Sequence, residues 1–166
     1  MEMQGKTQLG KLAMELLWWL ITLVVAFMVT QPLWRDFVQY NFVYETIAFI
    51  VIFITYTRYL FGLKYTFLAH FQAFKVLLIF VSIPLVFYLV QIFFAYQEFL
   101  EGQSEGMVEY DAFFRENITF NERYDILNYL TKVYTFFGIG AILIVFLSPF
   151  RMLVSFWRVY NKTGTV

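Results

Sequence analysis

The chain has 166 residues, of which 61% are hydrophobic, 23% aromatic and only 14% charged, the last about half the usual share of a soluble domain. Its 12 Lys and Arg are matched by 12 Asp and Glu, so no basic excess exists to hold nucleic acid, and without cysteine there are no disulfides, thiolate metal sites or iron–sulfur clusters. A domain this small cannot bury so much apolar surface, and the excess must face lipid.

A membrane-spanning helix takes about 20 mostly apolar residues. The first such stretch covers about 13–34 and is charge-free between Glu15 and Arg35. It is too long for a cleavable signal peptide, contains Trp18 and Trp19, and no A-x-A pattern follows it. The second, about 41–61, is less clean, because it contains Glu45 and Arg58. These two lie 13 positions apart. That is about 20 Å along a helix and places them on nearly opposite faces, so they cannot pair with each other. In a hydrocarbon core about 30 Å thick, each falls about 5 Å inside the apolar edge. Charged groups at such depths turn inward and take partners. By level and sign, Arg58 either pairs with Glu15 or snorkels to the interface, and Glu45 pairs with Arg35 or Lys132. A helix with polar groups on opposite faces must be central in its bundle or be covered by another chain.

Residues 60–75 are too polar to span. Leu60, Leu63, Phe67, Leu68, Phe71 and Phe74 recur at helical spacing, while Lys64, His70 and Lys75 take other positions. This pattern predicts an amphipathic helix in the interface, or an extension of the third span. The third span covers about 76–97 and includes Pro84, where a kink is expected. Residues 96–132 form an acidic connection outside the membrane. Thr119 followed by Glu122 matches a capping box and opens a helix in its second half. The fourth span covers about 133–153, with a kink expected at Pro149. Gly138, Gly140 and Ala141 make it thin on one side, as close helix packing requires. Beyond it, Arg151 and Arg158 stand among aromatic residues at the interface.

The expected fold is therefore all-α, a single domain of four transmembrane helices. Its orientation follows from the basic residues. One side has eight (Lys6, Lys11, Arg58, Lys64, Lys75, Arg151, Arg158 and Lys162) against Glu2 and Glu15, a net +6. The other has four against ten acids, a net −6. The first side, with both termini, is expected in the cytoplasm. In a bacterium this places the chain in the cytoplasmic membrane.

Groups for chemistry are few. His70 is the only histidine, too few for a bis-histidine haem or a zinc site. No G-x-S-x-G or S-x-x-K motif supplies a nucleophile. No cofactor, metal or catalytic residue is expected. The expected function is that of a non-catalytic multi-pass membrane subunit that scaffolds or stabilises a larger membrane complex; the expected partners are other membrane protein subunits, or else the chain self-associates. A small oligomeric transporter or channel is the first alternative, though no ionisable residue lies near a midplane. An interfacial enzyme or binder of lipid or quinone is the second. Lys64, His70, Lys75, Arg151 and Arg158 are its candidate contacts to anionic lipid headgroups on the cytoplasmic face.

Overall fold

In a bilayer every backbone N–H and C=O must find a partner within its own segment, so long apolar stretches become helices. The computed structural model describes residues 2–36, 41–63, 66, 72–104, 114 and 118–161 of the chain. Four helices account for nearly all of these: α1 (Glu2–Asp36), α2 (Asn41–Gly62), α3 (Gln72–Ser104) and α4 (Phe120–Tyr160). All four are long and apolar enough to cross a membrane. At 35 and 41 residues, α1 and α4 measure about 50 and 60 Å, well beyond a hydrocarbon core of about 30 Å. The charges that end an apolar stretch do not end its helix, because Glu, Lys, Arg and Gln are strong helix formers.

Helix therefore continues into the connections, as the extension of the third span and the capping box at Thr119 lead one to expect. Leu60 belongs to α2, and α3 already begins at Gln72, so Phe74 and Lys75 are its first-turn residues. Of the expected amphipathic segment, Lys64, Phe67, Leu68, His70 and Phe71 lie outside the described residues. On the far side α3 continues to Ser104, and α4 opens at Phe120, 13 residues before the fourth apolar span. There the Glu122 carboxylate accepts from the Thr119 backbone N–H at 2.9 Å and from its hydroxyl at 2.7 Å. Pro32, Pro84 and Pro149 all lie inside continuous helices. Each leaves the carbonyl four residues earlier without its helical donor. Next to the carbonyl freed by Pro32, Tyr129 OH donates to Val29 O at 2.9 Å and ties α4 to α1.

The helices alternate in direction along the chain, so α2 and α4 run parallel. These two form the inner pair, with α1 against α2 and α3 against α4. The core between them joins Val43, Phe49, Leu89, Leu130 and Val145, among others, and is dominated by rings near one end. Tyr134 stacks on Tyr96 at 4.1 Å between centroids and takes the edge of Phe49 at 5.1 Å. Gly138 and Gly140 admit such rings. A Cβ on Gly138 falls 2.8 Å from Phe93 Cδ2, and one on Gly140 falls 2.8 Å from Phe53 Cε2. Ala141 is fully buried on the same helix. Gly138 and Gly140, about 200° apart around α4, thus admit rings of α3 and of α2 on different sides and do not form the single thin side expected.

Candidate functional site

Polar side chains within the bundle gather at two levels, one near each membrane edge. The first involves the C-terminal turns of α2. Arg58 Nη1 lies 2.6 Å from Glu15 Oε2, with the two side chains only 12% and 14% exposed. The guanidinium also lies 5.6 Å from the centre of the Trp18 ring, three residues after Glu15 on the same face of α1. A cation over an indole is held by the ring quadrupole as well as by the carboxylate.

Two further cations stand at this level on the other side of α2. Arg151 Nε donates to the carbonyl of Leu60 at 3.1 Å, one of the last carbonyls of α2 and so without a helical donor. Lys75 Nζ donates to Ser155 Oγ at 3.0 Å, and the whole lysine is buried. This corrects the expectation that Lys75 reaches lipid headgroups. Lys75 is seven residues before Ser82, hence on the same buried stripe of α3, and it points across the seam to α4. Arg151 is half-buried, whereas Arg158, in the last turn of α4, is exposed. Lys64 and His70 lie outside the described residues.

The second level surrounds Glu45. Tyr134 OH donates to Glu45 Oε2 at 2.7 Å and also approaches Ile92 O at 3.2 Å. Beside it Tyr96 OH and Thr131 Oγ1 share a hydrogen bond of 2.8 Å. Glu45 therefore meets a phenol, and the expected ion pair with Arg35 or Lys132 is not made. Lys132 precedes Tyr134 by two residues, about 200° around α4, and so faces away from the core. Both Lys132 and Arg35 are exposed. The opposite faces of α2 are thus served from within the chain, by α1 at Arg58 and by α4 at Glu45. The reading of charges alone missed Tyr134, Trp18 and Ser155. Tyr134 was discoverable by the level arithmetic, because it falls two residues from Lys132, but a neutral hydroxyl has no sign to select it by.

Among the described residues no three His, Asp or Glu side chains converge as metal ligands do. A groove of about 450 Å³ opens on the membrane face between α3 and α4, lined by Ser82, Val86, Phe87, Phe146, Pro149 and Phe150. Its walls are almost wholly apolar. The Ser82 hydroxyl donates to Leu78 O at 2.6 Å, back into its own helix. No protein-family model, curated protein or solved structure matches the chain.

Proposed function

We propose that the chain is a non-catalytic multi-pass membrane subunit, with both termini cytoplasmic and helices kinked at Pro84 and Pro149, that scaffolds or stabilises a larger membrane complex. One observation carries the reading. The outer helices present dense ridges of large side chains that no helix of this chain covers: Trp19, Phe27 and Met28 on α1, and Phe80, Phe87 and Phe94 on α3. Rings project far from the helix axis and suit partner helices that must interdigitate, because lipid alone provides no hydrophobic drive between helices and leaves packing to decide. The net +6 and −6 of the two sides support the orientation.

The test is purification in mild detergent, followed by identification of co-eluting chains. A stoichiometric hetero-complex is the expected result. A homogeneous homo-oligomer favours the transporter reading instead. The α3–α4 groove favours a second reading, a binder of lipid or quinone. A monomer that retains one such molecule, lost on Val86→Trp, is its signature.

A further inference from the structure

Two cations share one corner of the bundle, and among the described residues their partners are neutral oxygens. Lys75 Nζ has Ser155 Oγ, and Arg151 Nε has Leu60 O. Arg151 and Ser155 are four residues apart on α4, one turn along one face, so the ammonium and the guanidinium repel each other across a short gap. Among the described residues neither has a carboxylate partner. The sequence leaves little to supply one. Of the 12 acids only Glu2 and Glu15 belong to this end of the molecule, and Glu15 is held by Arg58.

Buried charges persist where they are paired and fully hydrogen-bonded. Here the donors outnumber their acceptors. Among the described residues the ammonium uses one of three protons, and both terminal nitrogens of Arg151 are unused. Those two nitrogens form a planar fork that fits two oxygens of a phosphate. Lys75 also lies in the first turn of α3, whose backbone N–H groups and dipole favour an anion. Gln72, one turn before it, has a buried amide oxygen with no partner. Rotated by 180°, that amide presents its NH₂ instead.

We propose that this corner binds a phosphate group, with the half-buried Arg151 fork as the direct contact and Lys75 as the charge behind Ser155. A phosphodiester adds one negative charge where the chain has two positive ones. Its place at the membrane edge admits two sources, the headgroup of an anionic phospholipid or free phosphate in the adjoining water. The inference does not rest on the scaffold reading, and it stands or falls on this corner alone.

The full chain is reconstituted in nanodiscs of phosphatidylcholine, in discs that also contain phosphatidylglycerol, and in phosphatidylcholine discs with millimolar inorganic phosphate against equal ionic strength of chloride. The readouts are the thermal midpoint and the midpoint's dependence on ligand concentration. A rise with phosphatidylglycerol alone identifies the headgroup, and a rise with inorganic phosphate identifies the free ion. Arg151→Gln should weaken the responding ligand by about tenfold or more, as loss of a charge-assisted pair does, and Arg151→Lys should weaken it less. Lys132→Gln removes the same charge at the far end and should leave the response intact. Equal midpoints in all media, or a rise that survives Arg151→Gln undiminished, overturn the proposal. Should Arg151→Gln fail to fold, the wild-type comparison and Arg151→Lys still decide.

Discussion

Replacing Glu15 and Arg58 by Gln, singly and together, asks how much one intramembrane ion pair contributes to the attachment of α1. The side chains meet at 2.6 Å and are about one-eighth exposed, more secluded than the surface pairs whose contribution is about 0–1 kcal/mol. Polar contacts between membrane helices average about 0.6 kcal/mol and reach about 1.7. Glu15→Gln keeps an acceptor oxygen and leaves Arg58 over the Trp18 ring, so its cost should be about 1 kcal/mol. Arg58→Gln removes the ion pair and the cation–π contact together and strands a carboxylate near the apolar edge, at a cost of about 2 kcal/mol. The double variant strands no charge and should also cost about 2 kcal/mol, a coupling of about 1 kcal/mol below the sum of the singles. The assay is reversible unfolding in mixed micelles on titration with a denaturing detergent, followed by circular dichroism. Costs that add to within about 0.3–0.5 kcal/mol show that the two side chains contribute independently, and the reasoning from proximity then fails.

Other positions give sharper or simpler readouts. Tyr134→Phe removes the hydroxyl that serves Glu45 and should cost about 1–2 kcal/mol in the same titration; Glu45→Gln in that background should recover part of it, and no recovery refutes the pairing. Gly138→Val drives a side chain into the Phe93 ring and should cost about 1–3 kcal/mol, whereas Gly10→Ala, whose Cβ meets nothing within 4 Å, should be neutral or better. Thr119→Ala should fray the start of α4, read as faster amide exchange over Phe120–Arg123 while exchange around Tyr134 is unchanged. Cysteines at Ser104 and Thr163 should react with an impermeant reagent from opposite sides of the membrane, and reaction of both from one side ends the proposed topology.

Three spans were legible because charge-free stretches near the length of a bilayer core are rare in any other class of protein, and the second, interrupted by Glu45 and Arg58, by the apolar run between those two charges. Most helix ends were not, since Glu, Gln, Lys and Arg beyond an apolar stretch have about the same helix propensity as leucine. α3 shows this best, running on through residues 98–104 beyond its apolar stretch, whereas the start of α4 at Phe120 was marked by the capping box of Thr119 and Glu122. The partners of charges were only half legible. Level and sign select candidates for Arg58, whose partner is an acid. They mislead for Glu45, whose partner is a phenol, and for Lys75, which turns into the seam between α3 and α4 toward Ser155. Hydroxyls contribute no charge to count, and the azimuth of a side chain on a helix is fixed by its neighbours' packing as much as by its register.

The position of Glu45 in the folded bundle also bears on the order in which the protein is made. Its partner Tyr134 comes 89 residues later in the chain, while Glu15 precedes Arg58 by 43. When α2 leaves the ribosome, Arg58 already has its acid in α1, but Glu45 has nothing, and at ordinary synthesis rates it waits roughly 5–20 s for α4. During that interval the least apolar of the four spans carries a bare carboxyl. The cost of that group, less than the roughly 2.5–3.5 kcal/mol of a charge at a helix centre, favours keeping α2 beside the insertion machinery until α4 arrives. The expected consequence is that α2 enters lipid late although it is second in sequence, and that a chain cut before Tyr134 is recognised by the cell's quality control through α2.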